Sequence, residues 1–288
     1  MDNEEFFQLP NPHSIIYNFE GYTQSANALF HFMTKRIYLE TALSRKALVP
    51  WYCLEDISCL GLSIDGGNFN EIAILQKCFC DIPLYKIVVN FNLQLSEIEG
   101  FELIKDNTHT GYYGEYAIAF SKAWCEDKNL QPIHYLNEKS SYAESFKKLI
   151  NIALSSDDIS NDYANDVLQR LALIKPLRGS MKRYFSKVNK TIETIKNFHD
   201  EQEWRYIPRP GNLNMINENN SFDINPIIAN AELLNLYSEP SVRFIDKQSS
   251  LLEDEQNRII WTEFNYSDIR YLIVTDNQAR LEIVDYII

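Results

Sequence analysis

The sequence predicts a mixed α+β fold, in which short buried strands accompany a helical segment. Apolar runs bounded by turn residues indicate strands at Leu29–Phe32, Ile72–Cys80 and Tyr116–Phe120. The stretch from Ser140 to about Leu154 instead carries apolar side chains at helical spacing. No repeated unit occurs along the 288 residues, so these two patterns indicate one mixed domain.

The domain organisation follows from length and composition. The length fits one large domain or two small ones. Because no long low-complexity linker interrupts the sequence, we predict a single domain over residues 27–288, with a helical insert at about 138–178. Residues 1–26 are polar, contain Pro10 and Pro12, and are expected to form an N-terminal arm.

Local signals place the other elements. Thr34 follows the first strand and can cap a helix that runs to about Leu48. Pro208 ends a strand that begins near Glu201. The remaining predicted elements are, in order, a strand at Phe101–Ile104, a turn at His109–Glu115, a short helix from Ser121, a strand at Pro132–Leu136, a helix at Tyr163–Ile174, a helix at Ile227–Leu236, and strands at Arg258–Phe264, Ile269–Thr275 and Leu281–Ile287.

The charge of the chain is unevenly distributed. A formal net charge of -13 predicts solubility and argues against general binding to nucleic acid or membranes. The window from Val167 to His199, however, contains eight Lys or Arg residues and one acid. This basic window can contact phosphate, although a solvated face or a contact for an acidic partner would have the same composition. The tentative nucleic-acid residues within it are Arg178, Lys182, Arg183 and Lys187.

The five cysteines point to a reducing compartment. Their number is odd, the N-terminus is acidic and unlike a targeting sequence, and no apolar run approaches the length of a membrane span. We therefore expect a cytoplasmic protein with free thiols. No C-x-x-C motif and no metal-ligand spacing of histidines occurs, so no metal site is expected.

The segment around Glu203 has the most informative pattern. If its strand begins at Glu201, then Glu201, Glu203 and Arg205 share one face, and aromatic side chains occupy the other. Two carboxylates beside a guanidinium suit a site that stabilises a developing positive charge. The alternative is a surface strand with a Glu–Arg pair.

A histidine near the N-terminus forms a second candidate site. His31 lies on a short strand just before Thr34, in a rigid frame that can present its ring to a ribose hydroxyl. A buried histidine whose hydrogen bonds are satisfied within the core is the alternative interpretation.

Four segments carry a family resemblance. They are His31-Phe32-x-Thr34, Cys78 to Leu84, Tyr113 to Trp124 and Asp200 to Pro208. In this order they resemble the AbiGi abortive-infection family of bacterial phage-defence proteins, from about residue 28 to 275. The His-x-x-Thr start and the late glutamate also resemble the ADP-ribosyltransferase fold. That resemblance implies a split, mostly antiparallel β core that holds NAD in its cleft.

The resemblance also implies roles for individual residues. His31, Phe32 and Thr34 would bind the NAD ribose, and Tyr113 or Tyr116 would supply the aromatic wall. The remaining implied roles are Phe79 and Asp81 lining the cleft, Glu203 as the catalytic carboxylate with Glu201 beside it, and Arg205 binding the pyrophosphate or pairing with a glutamate.

The function predicted from this resemblance is an NAD-dependent mono-ADP-ribosyltransferase toxin of an abortive-infection toxin–antitoxin system. We expect RNA or DNA as its acceptor and a co-encoded antitoxin as its partner. The first alternative is a non-enzymatic antitoxin or interaction protein of the same system. A further alternative is an RNA-cleaving toxin that uses His31, His109 or His199 with Glu203.

Overall fold

The structure, a computed structural model, describes part of the chain. The described residues are 26–64, 67–88, 109–155, 167, 170–185, 190–208, 227–229 and 249–287. The strands are β1 (Ala28–Met33), β2 (Ala47–Leu48), β3 (Trp51–Asp56), β4 (Leu62–Ile64), β5 (Gly67–Phe69), β6 (Glu71–Cys80), β7 (Tyr116–Ser121), β8 (Gln131–Pro132), β9 (His134–Leu136), β10 (Ile174–Pro176), β11 (Arg178–Phe185), β12 (Lys190–Asn197), β13 (Glu203–Tyr206), β14 (Ile227–Ala229), β15 (Thr262–Glu263) and β16 (Ile269–Ile273). The helices are α1 (Arg36–Arg45), α2 (Leu84–Val88), α3 (His109–Tyr113), α4 (Lys122–Asp127), α5 (Ser141–Ser155) and α6 (Asn277–Ile287). The predicted arm before Ala26 and the predicted strand at Phe101–Ile104 lie outside these ranges.

An eight-stranded antiparallel sheet forms the centre of the described fold. Six strands follow the order β16-β7-β1-β6-β13-β8, and β3 and β14 pair with the first half of β6. β6 joins the two groups because it is long and mostly apolar, and most of its ten residues are buried. The mixed α+β class and the predicted strands at β1, β6 and β7 are therefore confirmed.

The sheet divides between β1 and β6. All six residues of β1 pair with β7, whereas only Phe30 lies opposite a residue of β6, Cys80. Beyond this pair, the second half of β6 pairs with β13 on its other edge, as far as Lys77 opposite Tyr206. β1 and β6 thus share one residue pair, while a split core of the ADP-ribosyltransferase kind stays a prediction.

Two hydrophobic cores lie on either side of β1 and β7. Leu29 and Phe120 are opposite one another and contact a core completed by α1 and α6. Phe30 and Ala119, the next pair, contact a second core that includes Ile87 of α2. This alternation follows the period of two, and it fixes the register because a slip of one residue would exchange the two faces.

Helix α1 begins later and ends earlier than predicted. Its N-cap is Lys35 rather than Thr34, and no side chain caps it. It ends at Arg45 because Lys46 adopts a left-handed conformation, with φ at 52°, and donates its backbone N–H to the carbonyls of Ala42 and Leu43. Leu48 belongs to the short strand β2.

Two C-terminal predictions are wrong, and a third holds only in part. Leu281–Ile287 lies in helix α6, whose start is stabilised by the side chain of Asp276 accepting from the Ala279 N–H at 2.8 Å. The described part of Ile227–Leu236 is strand β14, not helix. Within Arg258–Phe264, residues 258–260 end a 3-10 helix over Glu255–Ile260, and Thr262–Glu263 form the short strand β15. Short apolar segments such as these follow their tertiary contacts rather than local propensity.

Two boundaries in the middle of the chain also differ. The predicted helix α5 is confirmed, but Ile174–Pro176 forms β10, which runs parallel to β9, so the helical insert ends before residue 174. The predicted turn at residues 109–115 contains the short helix α3. The basic window continues as the antiparallel pair β11 and β12, with Arg178 opposite Asn197.

Two features are absent from the described residues. No helix among them is both long and apolar enough to cross a bilayer. They also contain no group of three or more His, Cys, Asp or Glu side chains that could hold a metal ion.

Candidate functional site

The approach to β13 differs from the sequence pattern. Glu201 ends a 3-10 helix over Phe198–Glu201, and the strand begins only at Glu203. Between them Gln202 adopts a left-handed conformation with φ at 44°. The predicted alternation therefore holds for Glu203 and Arg205 but not for Glu201, which reaches Lys175, a partner that it shares with Glu203, through this turn.

Six charged side chains form a buried ion cluster around β13. Both carboxylates of interest bind Lys175, whose Nζ is 3.1 Å from Glu201 Oε2 and 3.0 Å from Glu203 Oε2. Arg205 Nε donates to Glu203 Oε1 at 2.7 Å, and Lys196 Nζ lies 2.7 Å from Glu201 Oε1. The members are Glu55, Lys175, Lys196, Glu201, Glu203 and Arg205. Three acids thus balance three bases.

Arg205 is the most deeply buried member of the cluster. It has no exposed surface, and its guanidinium satisfies three acceptors. Besides Glu203, it donates to the carbonyl of Ala172 at 2.6 Å and to Glu55 Oε1 at 2.8 Å. A buried guanidinium with this many partners is held rigidly. It cannot bind a pyrophosphate, so that part of the prediction is wrong.

The cluster keeps both glutamates ionised. Burial by itself raises the pKa of Glu203, but Arg205 and Lys175 reverse this effect and lower it below its ordinary value. Burial likewise raises the pKa of Glu201, while Lys175 and Lys196 lower it overall. Burial lowers the pKa of Lys175, but the surrounding carboxylates, Glu203 foremost, raise it above its ordinary value. Because a general base needs a pKa near the working pH, this environment favours permanent ion pairs over proton transfer.

A cavity of about 460 Å³ opens where β1 and β6 separate. Its walls come from the end of β1, the length of α1, the segment from β2 to β3, and single residues of β6 and α3. Its lining residues are His31, Phe32, Met33, Thr34, Tyr38, Thr41, Ala42, Arg45, Ala47, Leu48, Val49, Trp51, Lys77, Tyr113 and Glu253. This size lies within the range of small-molecule sites.

The side chain of His31 connects β1 to β6 where their backbone pairing has ended. Its Nδ1 lies 2.8 Å from the carbonyl oxygen of Cys78 on β6, where the backbone ladder between β1 and β6 has already ended. Burial and the nearby charge of Lys77 lower the pKa of His31 well below its ordinary value, so the ring is neutral. Since a carbonyl only accepts, Nδ1 carries the proton and Nε2 is an acceptor.

Tyr113 connects the cavity to the ion cluster. It lines the cavity, and its hydroxyl donates to Glu201. The same hydroxyl accepts from Lys196 Nζ at 2.6 Å. Burial and the charge of Glu201 raise the pKa of Tyr113, so it stays protonated. The two halves of the candidate site therefore touch through this one phenol, although neither glutamate lines the cavity.

Four of the residues predicted to bind a cofactor lie together, and the others do not. His31, Phe32, Thr34 and Tyr113 all line the cavity. Tyr116 packs in the core on the α1 side, with its hydroxyl 3.2 Å from Thr275 Oγ1.

Phe79 and Asp81 have structural contacts. Phe79 is fully buried, 5.6 Å from His31 between ring centroids, and Asp81 pairs with Lys122. The structure thus does not place Tyr116, Phe79 or Asp81 in the cavity wall, and NAD as a ligand stays a prediction.

The basic window is only partly available to a ligand. Two of its eight positive charges, Lys175 and Lys196, are used inside the ion cluster. Arg178 is exposed at the start of β11, which also contains Lys182 and Arg183. Lys187 lies outside the described residues. Phosphate binding by this strip stays a prediction.

The pattern of the sequence did not reveal several site residues. Lys175 is separated from Glu203 by 28 positions and Glu55 from Arg205 by 150, so no local spacing links them. Arg45, Trp51 and Lys77 line the cavity from three different elements. The excess of basic residues before Glu201 is the only signal of these partners in the sequence. By itself it indicates a phosphate ligand rather than ion pairs within the chain.

Comparisons with known proteins point to phage defence. Residues 101–274 match the family model described as "Putative abortive phage resistance protein AbiGi, antitoxin". The chain is also similar to the abortive phage resistance protein AbiGi of Lactococcus lactis subsp. cremoris, with 31% identity over 247 residues, which cover 84% of this chain and 87% of that protein. No solved structure gives a significant match.

Proposed function

Since the chain belongs to the AbiGi family of abortive phage resistance proteins, we propose that it is an antitoxin that binds a partner protein without catalysis. The observation that carries this proposal is the antitoxin description of the matched family, which covers residues 101–274. That range includes Lys175, Glu201 and Glu203, the centre of the candidate site.

The same description corrects the enzymatic prediction. An NAD-dependent ADP-ribosyltransferase was expected from the His-x-x-Thr start and the late glutamate. A family described as an antitoxin contradicts that activity, so the prediction of an enzyme is wrong. The same description argues against the toxin role that was predicted together with this activity.

The geometry of the ion cluster supports a structural role for the glutamates. Glu203 is 4% exposed and Glu201 is 3% exposed, and both are held by cations of the chain itself. A catalytic carboxylate must contact a substrate, whereas neither side chain lines the cavity. The cluster instead links β13 to β10 through Lys175 and to β3 through Glu55. It therefore fixes the relative positions of distant segments.

The charge of the chain suggests the chemistry of the partner. The ion cluster is neutral as a whole, so the formal charge of -13 belongs to the rest of the chain. An acidic exterior attracts a basic partner and accelerates its association at low salt. A toxin with a basic surface, such as one that acts on nucleic acid, would meet this requirement. The proposed partner is thus a basic, co-encoded toxin.

Co-expression and calorimetry test the proposal. We expect the chain to restore growth of cells that produce the co-encoded toxin, and the purified proteins to form a complex that weakens as salt increases. Release of nicotinamide from NAD by the purified chain would overturn the non-catalytic assignment. Restored growth without any detectable complex would overturn the binding mechanism.

A further inference from the structure

The cavity between β1 and α1 contains an uncompensated positive charge. Among its lining residues the ionised side chains are Arg45, Lys77 and Glu253, because His31 is neutral. Arg45 and Glu253 neutralise one another, with 3.1 Å between Nη2 and Oε2. One positive charge, that of Lys77, therefore remains.

Lys77 has no partner for its ammonium group within the described part of the chain. It lies on β6 opposite Tyr206, and no hydrogen bond or ion pair to a described residue satisfies it. Burial lowers the pKa of Lys77, and the opposing influence of Cys53, Cys78 and Glu253 does not reverse this direction. Taking an ammonium group out of water without a counter-ion is costly, and an anion in the cavity would remove this cost.

The remaining walls suit an apolar, planar body. Phe32, Trp51 and Tyr113 contribute aromatic surface, and Leu48 and Val49 contribute aliphatic surface. Aromatic walls favour planar rings, which can stack against them or meet them edge to face.

Polar groups near the end of β1 can orient such a ligand. The acceptor nitrogen of His31, Nε2, is left over after Nδ1 binds the carbonyl of Cys78. The hydroxyl of Thr34 lines the same cavity and can donate or accept. A few polar groups within a mostly apolar cavity are typical of small-molecule sites.

We propose that this cavity binds a small planar-ring compound with one acidic group, which pairs with Lys77. The site is separate from the proposed antitoxin activity, and it stands whether or not the chain neutralises a toxin. One unpaired cation matches one acidic group. The ring would lie between the aromatic and aliphatic walls, and its polar edge would face His31 or Thr34.

Titration calorimetry with matched pairs of probes tests this site. Benzoate carries a carboxylate on a planar ring, and AMP carries a phosphate that a ribose joins to a planar ring. Benzamide and adenosine are their neutral counterparts. We expect at least one acid to bind, and to bind at least about tenfold more tightly than its neutral counterpart. The acidic group that the cavity prefers is the one whose acid gains more affinity over its own neutral counterpart.

Two variants assign the binding to Lys77. Lys77→Met keeps most of the length of the side chain and removes its charge, so it should weaken binding of the acid at least about tenfold. Lys139→Met, at an exposed position outside the cavity, should leave binding unchanged. Because Lys77 is half-buried and has no ion pair within the described part of the chain, its replacement should not lower the melting temperature, and a folded variant is expected.

Three results would overturn the proposal. The first is that neither acid binds the wild-type chain. The second is that each acid and its neutral counterpart bind equally, since the charge would then be irrelevant. The third is that Lys77→Met binds the acid as well as Lys139→Met does.

Discussion

Glu203 and Arg205 lie two positions apart on the buried face of β13 and bind one another, with 2.7 Å between Oε1 and Nε. Their other partners come from distant parts of the chain. Lys175 binds Oε2 of Glu203, and Glu55 binds Nη2 of Arg205. The cost of burying each charged group is therefore offset by the other charged groups of the cluster. Loss of one member leaves a neighbour buried without compensation, which is far more costly than loss of a surface pair.

Replacement of Glu203 by glutamine should destabilise the protein strongly. Glu203→Gln preserves the shape of the side chain but leaves Lys175 and Arg205 with one carboxylate fewer. We expect the free energy of unfolding to fall by about 3–5 kcal/mol, measured by urea denaturation. The control Glu126→Gln, at an exposed position, should change it by less than about 0.5 kcal/mol. Equal effects of the two substitutions would contradict the role of the cluster.

The cluster should also determine how stability depends on pH. The folded-state pKa of Glu203 is lower than its unfolded value of about 4.3. As the pH falls below that value the unfolded chain takes up the proton first, so the stabilisation is complete above about pH 4.3 and is lost as the pH approaches the folded pKa. The difference in unfolding free energy between wild type and Glu203→Gln should be constant from about pH 7 to pH 5 and then shrink. A difference that grows on acidification would contradict this sign.

Local patterns predicted the central strands β1, β6 and β7 but not the connections between them. β1, β6 and β7 were predictable because their apolar runs are continuous and bounded by turn residues. The pairing of Glu203 with Arg205 was also visible, because a period of two places them on one face.

The functional interpretation of those residues required long-range contacts. Two buried carboxylates look catalytic until Lys175 and Lys196 are seen to bind them. The left-handed Gln202, which precedes Glu203 and lets Glu201 share Lys175 with it, has no signature in the sequence. The family resemblance was confirmed, but the activity inferred from it was not.

Among the cations of the cluster, Lys175 should be the one whose replacement lowers the free energy of unfolding most. It is the side chain that binds both glutamates, so Lys175→Met leaves two buried carboxylates with fewer positive neighbours. We expect the free energy of unfolding to fall by about 3–5 kcal/mol at neutral pH. We also expect the difference in stability between the variant and wild type to be smaller at acidic pH than at neutral pH. The second effect arises because protonation of a glutamate then relieves repulsion. Urea denaturation at both pH values measures both effects.

Lys139→Met is a suitable control for that experiment. Lys139 is exposed and has no carboxylate partner within the described part of the chain, so its replacement should be nearly neutral at either pH. If Lys175→Met were equally neutral, the ion pairs would contribute little to stability, and the structural interpretation of Glu201 and Glu203 would lose its support.

Gly114 should be essential for the position of Tyr113. Its φ of 119° is unfavourable for any other residue, and an added Cβ would collide with the backbone carbonyl of Met33, at the end of β1. Gly114→Ala should therefore cost about 3 kcal/mol or more, because strain and collision act together. Gly61→Ala separates the two causes, since Gly61 also has a positive φ, of 55°, but open space around it, and should cost about 1–2 kcal/mol. Urea denaturation of both variants measures the difference, and equal losses would show that the approach of α3 to β1 is not tight.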